Sequence, residues 1–553
     1  MVLNKQKNDD DIFQESIQLH QSGDLNKAQK GFEYLISKYP ESADLCNSLG
    51  TLNLQLGNDK KGCSLLEKSL QINPNQPMIS FNLGNSYLNQ KNFTKALEFY
   101  TSTITKAPEY IEAYIKKGEL LTNLKIHNEA IDCFKSALEL APGNLKILNA
   151  LGINLLEIGE AKNALEYFTQ SIKIDKDNAI LYNNAGLAAF RMNRFDESIG
   201  YFNLCIKNAP TIGYFYSNRG LSFQALKKLN LAMEDYNKCI SLDPKYPESY
   251  WNKSLLHLFQ GNYKDGWELY EYRWQSFAKE WARDYPKKLW LGNESIENKV
   301  IFIYPEQGHG DFIHCFRYIA LLKDLHPKKI ILEVTEPFYN LINSQDPEVE
   351  VIGPNAQPPE FDFYSPIMSL PLGFKTEISN IPNKCPYLKI NFNKNKTWEE
   401  KLINSKYLKI GLSWSGNPLH KNNHNRSMSI NDFAELLSLP FEFYSLQKEV
   451  PSEDLEILNN SKIIDHQKSL RDFSDTASLI KMLDVVISVD SVVAHLAGAL
   501  GKKTFLLLPE KSSFLWMNER SDSPWYPSIK IFRQSTLGDW KKPMKELMCE
   551  LQL

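Results

Sequence analysis

The sequence predicts an α-solenoid built from short helical repeats, followed by an α/β module of two parallel-sheet domains with a cleft between them. Three observations support this fold class: small and aromatic residues recur every 34 residues in the first half, buried strands alternate with helices from Lys299, and that alternation restarts at Leu408. A chain of 553 residues is too long for one core. The predicted boundaries are repeats over 9–276, a linker over 277–298, and α/β domains over 299–398 and 399–553.

The first half is a repeat array in which four residue types each keep a fixed phase. Glycines recur at 50, 84, 118, 152, 186 and 220, and prolines at 40, 74, 108, 142, 210 and 244, with Lys176 in the one vacant position. Alanines recur at 28, 96, 130, 164 and 232, and aromatic residues at 32, 100, 134, 168, 202 and 236. This is the tetratricopeptide pattern, in which small residues let the two helices of a repeat cross closely and proline ends the second helix. About eight such repeats fit between 9 and 276.

The array is expected to bind a protein or peptide, because stacked repeats present an extended concave surface. Its last repeat differs from the others: Trp267, Tyr270 and Trp274 follow helical spacing. A stripe of this kind is typical of a packing face. We therefore interpret it as the seam between the array and the domains that follow, rather than as a ligand site.

The composition argues against several partners and compartments. Lys and Arg number 63 against 66 Asp and Glu, a net charge of -3, so no nucleic-acid partner is expected. The first residues lack the apolar core of a signal peptide, and no apolar run is long enough to span a bilayer, which leaves only peripheral membrane contact open. The eight cysteines include no CxxC pair and are predicted to be free thiols, so the expected compartment is the cytoplasm.

The predicted strand Lys299–Tyr304 leads into a glycine-rich loop, PEQGHGD. Gly308 and Gly310 let the backbone approach a ligand, and the helix that follows offers free N–H groups. The loop has neither GxGxxG nor GK[ST], so neither a dinucleotide site nor a P-loop is predicted. Asp311 stands where a helix N-cap belongs, and spacing alone favours a capping role over that of a general base facing the cleft.

A second polar loop, SWSGNPLHKNNHNRS, follows the strand that restarts the pattern. Lys421 and Arg426 are candidates to neutralise phosphate, and a solvated loop is the alternative. His420 and His424 have an H-x3-H spacing, but no third ligand lies nearby in the sequence, so no metal site is predicted.

The stretch DSVVAHLAGALG follows a buried strand and opens a helix. The backbone N–H groups of Ser491, Val492 and Val493 form an anion site at the N-terminus of this helix, and a diphosphate is expected to bind there. Asp490 is placed to hold a hydroxyl group beside it. His495 lies on an otherwise apolar helix, a position that by itself is more typical of a core histidine.

Together these motifs resemble the heptosyltransferase-like family of glycosyltransferases, over residues 290–550. That family has a loop ending in Gly-Asp, here Gly310-Asp311, and the pattern Asp-Thr/Ser-Gly-x-x-His-Leu-Ala-x-Ala-Leu-Gly, here 490–501. Bacterial proteins that fuse tetratricopeptide repeats to this domain carry Glu-Gln-Gly-x-Gly-Asp, Ser-Leu-Gln-Lys and Ser-Pro-Trp-Tyr-Pro, here at 306–311, 445–448 and 523–527.

The resemblance implies a GT-B fold of two facing Rossmann-like domains. It implies transfer of a sugar from a nucleotide-diphosphate donor to a protein or glycan, without a bound metal or other cofactor, and with the repeats recruiting the acceptor or a partner. Asp311 is then the catalytic base, Asp490 binds the donor sugar, and Arg426 faces the donor phosphates.

The resemblance also assigns supporting roles to further residues. The donor side includes Lys421, Ser491, Val492, Val493 and His495, and the cleft loops include Glu306, Gln307, Gly308, Gly310 and Asn417. Two positions depart from the pattern: Val492 replaces a glycine and would crowd the phosphates, and His309 replaces an apolar residue. The alternatives are therefore a protein-interaction scaffold with an inactive GT-B domain, and an epimerase or hydrolase on the same fold.

Overall fold

The computed structural model describes residues 8–354, 356–390, 398–399, 402, 406–418, 420, 422–518 and 520–551. The chain divides into two compact units, Met1–Ser222 and Phe223–Leu553. The described residues of the first unit form helices and their connections, and the second unit combines helices with two parallel sheets.

The first unit is a series of helix pairs joined by short loops. Its helices have 13 or 14 residues and are α1 (Asp9–Gln21), α2 (Leu25–Lys38), α3 (Ala43–Gln55), α4 (Asp59–Ile72), α5 (Pro77–Asn89), α6 (Phe93–Lys106), α7 (Ile111–Asn123), α8 (His127–Leu140), α9 (Leu145–Glu157), α10 (Ala161–Ile174), α11 (Ala179–Arg191), α12 (Phe195–Asn208) and α13 (Gly213–Ala225), the last continuing across the division. The closest packing joins α1 to α2, α3 to α4, and so on to α11 and α12. These are the predicted two-helix repeats.

In four of these pairs the recurring glycine of the first helix lies directly against the recurring aromatic ring of the second. A Cβ atom on Gly84 would lie 2.6 Å from the ring of Tyr100, and one on Gly152 would lie 2.4 Å from the ring of Phe168. The other two pairs are Gly118 with Phe134 and Gly186 with Phe202. A side-chain carbon cannot approach so closely, and therefore the glycine and aromatic phases are two sides of one contact.

Proline follows the end of the second helix in most repeats, but it is not required for the helix to end there. Helices α2, α4, α6, α8 and α12 each end two residues before a proline, at Lys38, Ile72, Lys106, Leu140 and Asn208. Helix α10 likewise ends two residues before the equivalent position, at Ile174, although that position is occupied by Lys176 and not by proline. The predicted role of proline fits five of these helices, because the residue before a proline is disfavoured in the helical region. Helix α10 shows that a second helix can also end at the same place without proline.

Gly152→Ala is expected to lower the free energy of unfolding by about 1–3 kcal/mol, because the added methyl group must displace the buried ring of Phe168. Gly200→Ala in α12 is a matched control, since a Cβ atom there meets nothing within 4 Å. This control should gain up to about 1 kcal/mol from helix propensity. Urea unfolding followed by circular dichroism compares the two, and equal midpoints would contradict the close-packing argument.

The second unit begins with three further helices of the repeat series, α14 (Leu229–Leu242), α15 (Pro247–Phe259) and α16 (Tyr263–Tyr270). A five-stranded parallel sheet follows, in the order β1-β5-β2-β3-β4. Its strands are β1 (Lys288–Leu289), β2 (Val300–Tyr304), β3 (Lys329–Glu333), β4 (Val349–Ile352) and β5 (Phe363–Pro366). Strand β1 lies within the predicted linker and pairs with β5, so this part of the linker belongs to the sheet.

The second sheet has six parallel strands in the order β11-β10-β9-β6-β7-β8. They are β6 (Lys409–Ser413), β7 (Glu442–Ser445), β8 (Ile463–Ile464), β9 (Val485–Val489), β10 (Thr504–Leu508) and β11 (Ile529–Arg533). The described helices among the strands are α17 (His309–Phe316), α18 (Tyr318–Lys323), α19 (Tyr339–Ile342), α20 (Leu370–Gly373), α21 (Asn423–Arg426), α22 (Ala434–Leu437), α23 (Leu455–Asn460), α24 (Phe473–Met482), α25 (Val492–Ala499) and α26 (Lys541–Leu551). The prediction of two parallel sheets alternating with helices is confirmed.

The aromatic stripe of the last repeat is a packing face, as predicted. Trp267 and Tyr270 are buried in the same hydrophobic core as the first sheet, and both rings contact Phe514. Trp274 packs in a neighbouring cluster with Tyr285. Within the second unit, the last repeat is therefore continuous with the α/β core.

Candidate functional site

The loop between β2 and α17 carries Asp311 into the first turn of α17. Gly308 is the N-cap residue, and Asp311 is the third residue of the helix, where its Oδ2 accepts a hydrogen bond from the Gly308 backbone N–H at 3.0 Å. The prediction that Asp311 is itself the N-cap is wrong by three positions. Glycine has no side chain with which to reciprocate, so only the carboxylate half of a capping box is present.

Asp311 is half-buried and has two acidic neighbours. Burial raises its pKa to about 6, the carboxylates of Asp490 and Glu306 add to the increase, and the Gly308 N–H and the Arg426 cation oppose it. A carboxyl group with a pKa close to neutrality has the property required of a general base at physiological pH. Capping and a base-like pKa therefore coexist in one side chain, and neither excludes the other.

Glu306 and Gln307 hold this loop from the side of the last repeat. The two carboxylate oxygens of Glu306 accept hydrogen bonds from Arg273, from Nε at 2.8 Å and from Nη2 at 2.7 Å. Gln307 has a φ of +59°, and its side chain exchanges hydrogen bonds with the Tyr270 hydroxyl at 3.0 and 3.2 Å. A left-handed backbone at a residue other than glycine is strained and persists only when its surroundings impose it. The Glu306 carboxylate is thus buried and bound by Arg273.

Helices α17 and α25 meet at Gly310. A Cβ atom on Gly310 would lie 2.7 Å from Cδ2 of His495, so only glycine permits this approach. His495 is buried, stacks on Trp516 with ring centroids 5.0 Å apart, and places Nδ1 3.0 Å from the Tyr526 hydroxyl. Burial lowers its pKa to about 4, so the ring is neutral near pH 7. His495 is both a core residue and a neighbour of the Asp311 loop.

Asp490 directly follows β9 and is oriented by Trp516, whose Nε1 donates to Oδ1 at 2.8 Å. Ser491 is the N-cap residue of α25, but its hydroxyl bonds with Ser488 at 3.0 Å and Ser413 at 3.4 Å and does not cap the helix. The first-turn N–H groups of α25 therefore receive no side-chain cap, and such a helix end favours an anion.

Val492 and Val493 supply the first residues of α25. Val493 is buried in the core, and Val492 is half-buried and packs against the same core. Val492 therefore has apolar neighbours. Crowding of a ligand by Val492 stays a prediction.

The loop after β6 contributes Arg426 and Asn417. Arg426 is half-buried, its Nε donates to Asn423 Oδ1 at 3.4 Å, and it makes no ion pair with any described residue. Its guanidinium lies against Gly416, where a Cβ atom would be 2.7 Å from Nη2. Asn417 is exposed, and Lys421 lies outside the described residues.

Three residues of this region were not assigned a site role from the sequence: Trp516, Tyr526 and Gln447. Gln447 accepts from the Ser415 N–H at 3.2 Å and donates to the Ser415 carbonyl at 3.0 Å, which orders the loop after β6. Gln447 and Tyr526 lie inside the Ser-Leu-Gln-Lys and Ser-Pro-Trp-Tyr-Pro motifs. The two motifs could have indicated that Gln447 and Tyr526 are site residues, although they do not show which atoms these side chains contact. Trp516 had no comparable signal.

The described residues contain neither an evident metal centre nor a helix that could span a membrane. Among the described residues, no group of three or more His, Cys, Asp and Glu side chains is arranged to hold a metal ion. No helix in the same residues is long and apolar enough to cross a membrane. The eight cysteines are free thiols, as predicted.

Family models described as tetratricopeptide repeat match residues 43–76, 80–110, 111–144, 149–211 and 213–246. The helical part of the chain consists of tetratricopeptide repeats. Repeats of this kind are protein-interaction modules that present a concave binding surface. Protein FlbA of Caulobacter vibrioides (strain ATCC 19089 / CIP 103742 / CB 15) is 22% identical over 326 residues, which covers 54% of each chain. The chain thus spans about half the length of this relative.

Two of the solved structures that are similar to the chain are described as tetratricopeptide-repeat proteins. YrrB, described as a TPR protein with an unusual peptide-binding site, is 20% identical and covers 34% of this chain and 98% of its own, with a TM-score of 0.31. A repeat protein from Parabacteroides merdae ATCC 43184 is 19% identical and covers 48% of this chain and 98% of its own, also with a TM-score of 0.31.

Proposed function

We propose that the second unit is a glycosyltransferase module that moves a sugar from a nucleotide-diphosphate donor to a hydroxyl group of a protein or glycan. One observation carries the proposal. Asp311, whose pKa burial raises to about 6, stands after a strand of one parallel sheet, within electrostatic reach of Asp490 and Arg426 from the other. Ligands of open parallel sheets bind beyond the carboxyl ends of the strands. Under this proposal the two sheets are the Rossmann-like halves of a GT-B fold.

The proposed reaction is a single displacement. Asp311 takes the proton of the acceptor hydroxyl while the acceptor oxygen forms a bond to the anomeric carbon of the donor. The bond between that carbon and the diphosphate oxygen breaks, and the nucleoside diphosphate leaves with the electron pair. Arg426 and the first-turn N–H groups of α25 stabilise the developing charge, and Asp490 accepts a hydrogen bond from a sugar hydroxyl. The repeats recruit the acceptor or a partner protein.

Calorimetric titration with UDP-, GDP-, ADP- and CDP-sugars tests the proposal. We expect one donor to bind, and its Kd to rise about 10- to 100-fold in Arg426→Ala, because a hydrogen bond to a charged group contributes about 1.5–3 kcal/mol. Arg194→Ala is a matched control that removes an exposed arginine paired with Glu197, and it should leave the Kd unchanged. If none of the four donor classes binds the folded chain, the proposal is contradicted.

A protein-interaction scaffold is the second candidate, and the side chain of Val492 at the mouth of α25 favours it. In that case the repeats bind their partner while the cleft admits no nucleotide sugar. Val492→Gly then restores the family's residue, and we expect this variant to bind a nucleotide sugar that the wild-type chain does not. Wild-type binding in the same titrations would count against the scaffold.

A further inference from the structure

Three buried side chains of the second unit form a hydrogen-bonded series that ends at His495. Nδ1 of His314 lies 3.5 Å from Oη of Tyr526, and that Oη lies 3.0 Å from Nδ1 of His495. All three side chains are buried, and His314 and Tyr526 are completely so. Each of the two contacts contains one proton, which belongs to one of its two atoms. Because Tyr526 has a single hydroxyl proton, the donor in one contact determines the donor in the other.

His314, at the opposite end of the series from His495, determines the direction in which the hydrogen bonds are donated. Nε2 of His314 is buried and has no hydrogen-bond partner among the described residues. Burial and the nearby Arg317 cation hold the pKa of His314 well below its usual range, so the ring is neutral and carries one proton. An enclosed N–H without an acceptor is more costly than an enclosed lone pair, so the proton belongs on Nδ1, where it is donated to Tyr526.

Tyr526 then passes its own proton onward to His495. The Tyr387 hydroxyl lies 3.5 Å from the Tyr526 hydroxyl. Tyr387 donates its single proton to the Ile313 carbonyl at 2.9 Å and therefore does not donate to Tyr526. The Arg317 guanidinium lies 4.5 Å from the centroid of the Tyr526 ring. Burial holds the pKa of Tyr526 well above its usual value, and Arg317 opposes this only in part, so the hydroxyl keeps a proton to donate. The nearest acceptor of the Tyr526 proton is Nδ1 of His495.

We propose that His314 and Tyr526 are positioning residues that hold His495 as the tautomer protonated on Nε2, a neutral hydrogen-bond donor beside Gly310 in the first turn of α17. A Cβ atom on Gly310 would lie 3.2 Å from this Nε2, and Nε2 makes no hydrogen bond to a described residue. The tautomer follows from the contacts alone. Its use as a donor to a diphosphate oxygen of the nucleotide sugar rests on the proposed function.

Nitrogen NMR of the full chain, labelled with ¹⁵N at histidine, tests the tautomer without any assay of activity. The protonated and unprotonated ring nitrogens have well-separated shifts, and His495→Gln identifies the signals of His495. We expect the wild-type ring to be protonated on Nε2 at pH 7, and Tyr526→Phe to give a mixture of tautomers. Tyr387→Phe is the matched control, which removes a neighbouring hydroxyl near the same arginine, and should change nothing. A wild-type His495 protonated on Nδ1 would overturn the proposal.

A second pair of variants tests the role of His314 and keeps the test decisive if Tyr526→Phe does not fold. His314→Asn retains an N–H donor close to the position of Nδ1, whereas His314→Leu removes it. The asparagine variant should keep the wild-type tautomer of His495, and the leucine variant should not. Identical spectra of the two variants would contradict the directional series.

Affinity for nucleotide sugars separates this inference from the proposed function. His495→Gln places an amide N–H at the position of Nε2 and should keep the Kd near wild type, whereas His495→Leu should raise it about 10-fold. The predicted tautomer in a chain that binds no nucleotide sugar would support the inference and contradict the glycosyltransferase. Donor binding with the opposite tautomer would do the reverse.

Discussion

Asp311→Asn is expected to reduce the rate of sugar transfer by about 10²- to 10⁴-fold, the range over which a positioned general base accelerates a reaction. Asparagine keeps an oxygen that can accept the Gly308 N–H, so the start of α17 is preserved, but it cannot take up the acceptor's proton. The loss should therefore appear in kcat, with the KM for the donor close to wild type. Steady-state kinetics with the donor identified by calorimetry measures both.

Asp432→Asn is the matched control for this variant. Asp432 also occupies the third position of a helical turn, accepts a hydrogen bond from the Ser429 N–H at 2.9 Å, and is exposed. It shares the capping contact of Asp311 without its environment, and its replacement should leave the rate unchanged. A wild-type rate in Asp311→Asn would show that capping is the whole role of Asp311.

The raised pKa of Asp311 predicts opposite effects of pH on rate and on stability. The ionised base is populated as pH rises through about 6, so kcat/KM should fall roughly tenfold per unit below that pH, and Asp311→Asn should lack this dependence. For stability, a carboxyl pKa raised from 3.8 means that the folded state holds the proton more tightly than the unfolded state. This group therefore makes folding less favourable as pH rises from about 4 through 6. Thermal melting at pH 7 should find Asp311→Asn at least as stable as the wild type.

Arg273→Met is expected to lower the free energy of unfolding by about 3–5 kcal/mol, because it leaves a buried carboxylate without its cation. The side chains of Arg273 and Glu306 are both 0% exposed, and their oxygens and nitrogens are 2.7–2.8 Å apart in two hydrogen bonds. Arg273 also donates to Glu271 at 2.7 Å and Ser369 at 2.7 Å, so its loss leaves several acceptors unpaired. Urea unfolding followed by tryptophan fluorescence measures the change.

Two further variants isolate the charge from the change in volume. Arg273→Met combined with Glu306→Leu removes both charges and should recover part of the lost stability, since no buried ion remains unpaired. Arg520→Met breaks an exposed pair with Asp522 of the same 2.7 Å length and should cost less than about 1 kcal/mol. If Arg273→Met costs as little as this control, the buried pair does not support the Asp311 loop.

The predictions that were confirmed rest on patterns contained within a few dozen residues. The glycine and aromatic phases of a repeat are 16 residues apart, and their contact lies inside one helix pair, as Gly152 and Phe168 show. Strand β9 was likewise predicted from a short run before Asp490 that is apolar except for Ser488, because strands buried on both faces are mostly apolar. In the helix pair and in the strand, the residues that make the element recognisable in the sequence are also the residues that form its packing contacts.

The predictions that needed correction depend on partners elsewhere in the fold. The cleft-loop assignment of Glu306 did not indicate that its carboxylate is bound by Arg273, 33 residues earlier. Asp311 was placed at the N-cap because an aspartate before an apolar helix is the usual signal, whereas the helix begins at His309. The local sequence pattern indicates that a carboxylate can cap a helix. It does not show whether other acidic groups lie close to that carboxylate in the fold.

The order of elements could be predicted from residue patterns alone: helix pairs with a 34-residue period, and then strand–loop–helix units with polar residues after the strands. The surroundings of those polar residues became visible only in the folded chain. It encloses Glu306 beside Arg273, and it brings Tyr526 between His314 and His495, which are 212 and 31 residues away in the chain. The physical reason is that periodicity records which residues are buried, whereas a pKa or a proton position is set by the particular charged and polar atoms that burial brings together.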